Sequence, residues 1–336
     1  GQSQHDLAKE QFTLDTLLAN IVASSAIENE TINVFSLRSS LAQRLGVTLE
    51  QPYPSSDRSE GLANIMLDAL NDVKQPLTVN RLMQWHRWLF NDPDWTMHRL
   101  RIGQLRGAEP MQVVSGRLDY PKVHFEAPPR QGLEERLNAF IDWFNQSLND
   151  SLLDPLLRAG ITHLWFVTLH PFDDGNGRIT RTLTDLSLAQ MDEQSIRLYA
   201  MSTAILNKRK SYYEILEQTQ KNDSDITDWL VWFLDTLNDS LEKTLAQISR
   251  TLFKSQFWHK YSNLALSEEQ RKVLNRLLDG GENGFEHGIS ASQYQKVAKT
   301  SKATATRHLS DLLEKGCIVK LEGGGRNTRY QINTQL

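Results

Sequence analysis

The sequence predicts a mainly α-helical chain in more than one domain, and three observations carry that expectation. Apolar residues recur at helical spacing through most of the first 250 positions, extended patterns are confined to two short stretches, and 336 residues exceed what one core usually holds. With 39% hydrophobic and 23% charged residues the composition is that of a globular chain that needs no staples. The single cysteine, Cys317, excludes an intrachain disulfide framework and a cysteine-based zinc site. Lys and Arg total 37 against 41 Asp and Glu, a net charge of −4 that does not mark nucleic acid as the main partner of the whole chain. No apolar run reaches the roughly 18 residues of a membrane span. The start, Gly1-Gln2-Ser3-Gln4-His5, lacks the basic flank and apolar stretch of a secretory signal. The expectation is a cytoplasmic protein with no membrane partner.

Helical periodicity covers residues 12–27 and 35–45, and a Pro- and Ser-bearing loop at 51–57 sets this arm, residues 1–58, apart from a body spanning 59–262. Within the body the helical pattern returns at 62–73, 79–90, 133–148, 155–169, 179–191, 212–216 and 226–252. Met111-Gln112-Val113-Val114 and Lys122-Val123-His124-Phe125 flank a Gly-bearing stretch, which predicts a β-hairpin, and Pro128-Pro129 ends it. From residue 263 to 336 the order is helix (267–278), Gly-rich loop, helix (291–298), helix (304–315), then two extended runs (317–321 and 328–332) around Glu322-Gly323-Gly324-Gly325-Arg326.

The segment that carries chemistry is His170-Pro171-Phe172-Asp173-Asp174-Gly175-Asn176-Gly177-Arg178-Ile179-Thr180-Arg181. One helical pattern ends at Leu169 and the next begins near Arg178. The turn between them holds two glycines around an asparagine, a composition that lets successive N–H groups converge as an anion nest. The helix start adds free N–H groups and the positive end of its dipole. Arg178 and Arg181, three apart, share a helix face beside the nest, and two guanidinium groups there suit a polyphosphate. Asp174 offers a hard oxygen for Mg²⁺ between phosphates. His170 stands where an imidazole can take a proton from an incoming hydroxyl. Each residue alone is ordinary at a helix end or turn, and Phe172 reads as a core anchor for the loop. The weight lies in their assembly within twelve positions. Neither the Walker pattern nor the three-glycine dinucleotide fingerprint is present.

This segment resembles the Fic family signature, His-Pro-Phe-x-Asp/Glu-Gly-Asn-Gly-Arg-x-x-Arg, at every defined position. The resemblance implies a Fic helical core with a short β-hairpin flap. It also implies an enzyme that transfers AMP from ATP to a Ser, Thr or Tyr hydroxyl of a target protein, or of itself, releasing pyrophosphate. Carried onto this chain, it makes His170 the base and Asp174 the ligand of Mg²⁺ at the α- and β-phosphates. Gly175, Asn176 and Gly177 become the anion hole, with Asn176 at the α-phosphate. Arg178 becomes a phosphate ligand and Arg181 the ligand of the γ-phosphate. The hairpin resembles the flap that docks an extended target segment by strand addition. Tyr213, Leu216 and Gln220 fall at the spacing of the adenine-pocket wall. For two adjacent tyrosines, half-buried packing is the alternative.

Upstream, Ser24-Ser25-Ala26-Ile27-Glu28-Asn29 resembles the family's inhibitory-helix pattern, Ser/Thr-x-x-x-Glu-Gly/Asn. It implies that Glu28 competes with the γ-phosphate for Arg181 through a bidentate pair while Ser24 holds the helix in place. Against this, Glu28 could be a solvated helix-end acid. Residues 263–336 resemble a winged helix-turn-helix. Residues 290–336 carry eight basic and three acidic side chains, and Thr304, Thr306, Arg307 and His308 open the recognition helix. Two further readings stay open, removal of AMP from a modified target by the same site and a DNA-binding regulator acting through residues 290–330. A homodimer is open as well.

Overall fold

The computed structural model describes residues 4–93, 100–117, 120–191, 201–222 and 224–336. They fall into two compact units, Gly1–Glu242 and Lys243–Leu336. The first unit contains α1 (Gln4–Ile27), α2 (Val34–Leu45), α3 (Asp57–Asn71), α4 (Val79–Leu89), β1 (Gln112–Arg117), β2 (Tyr120–Glu126), α5 (Leu133–Ser147), α6 (Pro155–Leu169), α7 (Asn176–Met191), α8 (Met201–Asn207), α9 (Arg209–Lys221) and the first part of α10 (Thr227–Lys260). Helix starts are set by side-chain caps. Asn33, Ser56, Thr78 and Asp154 each accept a backbone N–H two or three residues on, and Pro155 fits the first turn of α6, where no N–H is needed.

Helices α6 and α7 form the centre of this unit because each buries two faces. Phe166, Leu169, Ile179, Leu183 and Leu186 join one core with Leu14, Leu37, Trp85 and Phe144. Ala159, Leu164, Val167 and Leu188 join a second core with Ile27, Tyr212, Trp229 and Phe233. A helix apolar nearly all round must be enclosed. His163 and Arg158, polar side chains buried on α6, accordingly find several partners each. His163, fully buried, bonds Thr184 Oγ1 at 2.9 Å and the Tyr212 hydroxyl at 2.7 Å, tying α6 to α7 and α9. Arg158, 4% exposed, donates to Ser147 Oγ, Ser187 Oγ, Gln190 Oε1 and the Phe144 carbonyl, and its guanidinium lies 4.3 Å from the Phe144 ring centroid.

The strands β1 and β2 pair antiparallel from Gln112↔Glu126 to Arg117↔Tyr120, with an irregularity between Val113 and Val114. The ladder is longer than the hydrophobic runs predict, because backbone pairing continues through Gly116 and Pro121. Leu118 and Asp119, in the expected turn, lie outside the described residues. Helix α1 starts eight positions earlier than its apolar pattern, and α8 has no counterpart in the sequence reading, since seven residues are too short for a helical period to register.

The second unit holds the rest of α10, then α11 (Glu268–Asp279), α12 (Ala291–Ala298), α13 (Lys302–Glu314), β3 (Ile318–Lys320) and β4 (Tyr330–Ile332). Capping boxes Ser267/Gln270 and Ser290/Gln293 start α11 and α12. β3 and β4 pair antiparallel, Ile318 opposite Ile332. Phe257 and Tyr261 are buried with Leu274, Tyr294, Leu309 and Cys317 in this unit's core. The packing boundary therefore lies at Glu242/Lys243, some twenty residues before the change in sequence pattern, and the arm at 1–58 packs as part of the first unit.

Arg158→Ala should destabilise the first unit by about 3 kcal/mol, because it strands several buried acceptors and opens a cavity. Denaturant unfolding of the wild type and the variant measures this.

Candidate active site

Helix α6 ends at His170, which sits in the left-handed region (φ 49°, ψ 56°) and donates its N–H to the Phe166 carbonyl at 3.1 Å. Its Nδ1 lies 2.9 Å from the Val167 carbonyl, which can only accept. Nδ1 therefore carries the proton and Nε2 the lone pair. Burial holds the imidazole below its ordinary pKa, with a smaller push from Arg106, against the opposing pull of the Val167 carbonyl, Glu28 and Asp174. The ring is thus neutral near pH 7 and suited to accept a proton.

The loop after His170 is held from within. Asn176, 2% exposed, accepts the Phe172 N–H at 2.9 Å and donates to the Phe172 carbonyl at 2.8 Å. Its side-chain amide is spent on the loop, so what it presents to an anion is its backbone N–H. Phe172 is fully buried, as a core anchor should be, and stacks on His86 with ring centroids 4.2 Å apart. His86 Nδ1 accepts the Gly103 N–H at 2.9 Å, so its Nε2–H donates to the Asp174 carbonyl at 3.0 Å. Burial pushes the His86 pKa down to about 4, which keeps this tautomer neutral. Asp173 accepts from the backbone and guanidinium of Arg101. Gly175 has φ 85°, and a β-carbon there would press on Leu89 and Phe90. Its carbonyl accepts the Ile179 N–H, and α7 begins.

The first N–H groups of α7, at Asn176, Gly177 and Arg178, have no partner one turn back. Beside them stand two guanidinium groups. Arg178 is 6% exposed, with its Cζ 5.4 Å from the Phe90 ring centroid, and its Nε has no hydrogen-bond partner among the described residues. Arg181 is 2% exposed, and its Nη1 is likewise unpartnered. Donors left open on buried cations fit an anionic ligand. Among the described residues no group of three metal-ligating side chains occurs. Asp174, whose Oδ1 accepts the Gly175 N–H at 2.7 Å, supplies a single carboxylate. That fits Mg²⁺, which commonly takes one carboxylate and completes its shell with phosphate oxygens and water.

Helix α1 ends against this site. The Glu30 N–H bonds to the Ser25 carbonyl and the Asn29 N–H to the Ala26 carbonyl, with Asn29 at φ 59°. This is a Schellman end, and it needs a residue tolerant of left-handed backbone at position 29. Ser24 and Glu28, one turn apart, share a face. Arg181 donates from Nε to Ser24 Oγ at 2.8 Å, and from Nη2 to the Ser24 carbonyl and to Glu28 Oε1, both at 2.9 Å. The fork is divided between Ser24 and Glu28, so the pair is not the expected bidentate one. Burial raises the Glu28 pKa, but Arg181, with Arg178 and His170, outweighs this and holds the carboxyl below its usual range. A β-carbon at position 177 would run into the Glu28 carboxylate, so Glu28 rests on the backbone of the nest itself.

The other expected residues lie on α9, beside which β2 runs. Tyr212 is 1% exposed and belongs to the core through His163. Tyr213 lies under the Arg209 guanidinium, 5.7 Å from the ring centroid, and Arg209 bonds the Ile27 carbonyl at the end of α1. Leu216 is buried, and Gln220 donates to Thr168 Oγ1 at 3.0 Å. Sequence reasoning missed His86, Arg106 and the buried pair Asn20–Asp185, where Asn20 Nδ2 donates to Asp185 Oδ2 at 2.8 Å and fastens α1 to α7. In the second unit, His308 bonds the Tyr294 hydroxyl and Thr304 Oγ1 accepts from Ser301. Of the four residues expected at the start of the recognition helix, Thr306 and Arg307 are exposed.

Comparison with known proteins agrees with this geometry. Residues 76–188 match the model of the Fic/DOC family, and residues 2–47 match a domain of unknown function, DUF4172. Protein adenylyltransferase fic-1 of Caenorhabditis elegans is 28% identical over 186 residues, covering 54% of this chain and 34% of that protein. Protein adenylyltransferase Fic of Nematostella vectensis is 28% identical over 206 residues, covering 61% and 43%. The chain therefore spans less than half the length of these curated relatives. A Fic family protein from Desulfovibrio desulfuricans shares the fold with a TM-score of 0.52 at 19% identity, covering 95% of this chain and 86% of that one. A Fic domain containing signaling protein from Bacteroides thetaiotaomicron does so at the same score and identity, covering 73% and 89%. No helix among the described residues is long and apolar enough to cross a membrane. The match at residues 76–188 contains the motif at 170–181, and over that region the chain is similar to the Fic/DOC family.

Proposed function

We propose that this chain is a Mg²⁺-dependent protein adenylyltransferase restrained by its own N-terminal helix. The observation that carries the reading is the head of α7, where buried Arg178 and Arg181 each keep an unpartnered donor beside free helix N–H groups while Glu28 shares Nη2 of Arg181 with the Ser24 carbonyl. ATP supplies anions for those donors. The free N–H groups of Asn176 and Gly177, which follow the turn at Gly175, receive the α-phosphate, and Arg178 and Arg181 the outer phosphates. Mg²⁺, held by Asp174, would neutralise charge on the α- and β-phosphates. A target hydroxyl then attacks the α-phosphorus while His170 Nε2 takes its proton. The bond to the β-phosphate oxygen breaks, and pyrophosphate leaves with the charge that the arginines stabilise. Tyr213, Leu216 and Gln220 bound the place for the base, and the β1–β2 hairpin offers an edge to the target.

Glu28 acts as the restraint because it occupies Nη2 of Arg181 and lies against the backbone at Gly177, so a γ-phosphate would have to displace it to take both Nη atoms. A triphosphate entering beside Glu28 meets a carboxylate on the nest, and its α-phosphorus is displaced from in-line attack. A shift of about 1 Å can cost about 10²-fold. Removal of AMP, with Glu28 orienting water, uses the same groups.

A second reading concerns the second unit. Lys296, Lys299, Lys302 and Arg307 are exposed along α12, the turn after it and the start of α13, an arrangement that supports DNA binding.

Three outcomes test these readings. His170→Ala should lower AMP transfer by at least about 10²-fold while leaving ATP affinity nearly unchanged, and full transfer by the folded variant would sink the base assignment. Glu28→Gly should raise self-adenylylation by about 10²-fold, and adding Arg181→Ala should lower it again. If Glu28 instead positions a water, Glu28→Gly abolishes AMP release from a premodified target. Duplex DNA binding should weaken steeply with salt and fall with Arg307→Ala, whereas no binding to any duplex at low salt would favour a protein-docking role.

A further inference from the structure

Arg106 lies between α4 and β1 and is 2% exposed. Among the described residues its three side-chain hydrogen bonds all go to main-chain carbonyls. Nε donates to His170 at 2.7 Å, and Nη2 donates to Leu169 at 3.3 Å and to Pro128 at 2.5 Å. Its backbone joins the same place, since its N–H donates to the Pro171 carbonyl at 2.9 Å and its carbonyl accepts Arg130 Nε at 2.8 Å. Among the described residues it forms no ion pair, so the cation is buried without a carboxylate on it.

A cation enclosed this way is costly unless its hydrogen-bonding geometry is needed. Two needs meet here. The last carbonyls of α6 have no partner within the helix, and a positive charge there complements the helix dipole. His170 also holds a left-handed backbone that a residue with a side chain adopts only when its surroundings enforce it. The third bond reaches outside the loop. Pro128 is the second residue after β2, just past the Ala127 N–H···Met111 carbonyl bond of 2.7 Å that closes the base of the hairpin. Arg106 precedes β1 by six residues, so it is fixed to the strand's entry by the chain and to its exit by a hydrogen bond.

We propose that Arg106 is a positioning residue that couples the β1–β2 hairpin to the orientation of the His170 imidazole. The proposal rests on the reading of His170 as base and of the hairpin as the target's docking edge. One guanidinium joins the carbonyl leaving the hairpin to the carbonyls that carry the base. A target strand that orders the hairpin thereby orders His170, and the nucleotide site on α7 is not involved. A lysine keeps the charge but lacks the planar fork that spans both elements.

The test compares Glu28→Gly with Glu28→Gly/Arg106→Lys in the full chain. Self-adenylylation at saturating ATP should fall at least about 10-fold with KM for ATP within about twofold, the split expected when the base alone is misplaced. Hydrogen exchange supplies a readout that does not depend on activity. In Arg106→Lys, residues 112–128 and 166–172 should gain exchange together while α2 and α3 keep their protection. Arg106→Gln, which keeps an amide donor without the charge, serves if the lysine variant unfolds. Self-adenylylation within twofold of the Glu28→Gly parent, or exchange gained in the hairpin while residues 166–172 stay protected, would overturn the coupling. Should Glu28→Gly itself transfer no AMP, the adenylyltransferase reading falls, and the exchange pattern still decides whether Arg106 links the two segments.

Discussion

Arg181 is a cation enclosed in protein, and it must always face an anion. Its place follows from α7, which is pressed between two apolar cores and buries nearly every side chain from Asn176 to Ala189. Ile179, Leu183 and Leu186 fix the helix in one core and Leu188 in the other, and that rotation turns residues 178 and 181 inward. An unpaired buried charge costs several kcal/mol. Some group must therefore reach Arg181, and α1 brings one. Ser24 and Glu28, a single turn apart, take Nε and Nη2 of the guanidinium and leave Nη1 open, and the helix ends at once in a Schellman turn at Asn29.

The same constraint explains why the loop after His170 is so heavily supported. A nest whose donors point one way repels its own N–H dipoles and needs fixing from behind. His86 holds the Asp174 carbonyl, Asn176 holds both polar groups of Phe172, and Arg106 holds the carbonyls of Leu169 and His170. Strain at His170 is tolerated because several independent contacts determine it. The supports leave the N–H groups at the start of α7 and the Nε2 of His170 for a ligand. Rigid scaffold and chemistry are thus divided between different atoms of the same short segment.

Much of this was legible in the residues because the informative groups are contiguous. Twelve positions hold the nest, both arginines, the acid and the imidazole, and the two flanking helices declare themselves by apolar period. The Ser24–Glu28 spacing is readable for a similar reason, since a four-residue step is one helical turn. The supports leave no such trace. His86 looks like one more polar residue in an amphipathic helix, and its partners Gly103 and Asp174 are 17 and 88 positions away. Arg106 sits in a loop without pattern. Composition does not tell that both neighbouring tyrosines are buried in the second core, with Tyr212 bonded to His163 and Tyr213 lying under Arg209. The divided fork of Arg181 was equally hidden, because it depends on the Ser24 carbonyl, a backbone atom that no motif records.

The proposed restraint is a competition between Glu28 and a γ-phosphate for Nη2 of Arg181, and nucleotide affinities measure it directly. With His170→Ala present to prevent turnover, calorimetric titration would compare ATP and ADP on the otherwise unaltered chain and on one also carrying Glu28→Gly. If Glu28 occupies the γ-phosphate's partner, the unaltered chain gains little from the third phosphate and binds the two nucleotides alike. The Glu28→Gly chain, its guanidinium freed, should prefer ATP by about 10-fold or more, the scale of one charge-assisted contact. The same preference for ATP over ADP in both chains would contradict the account.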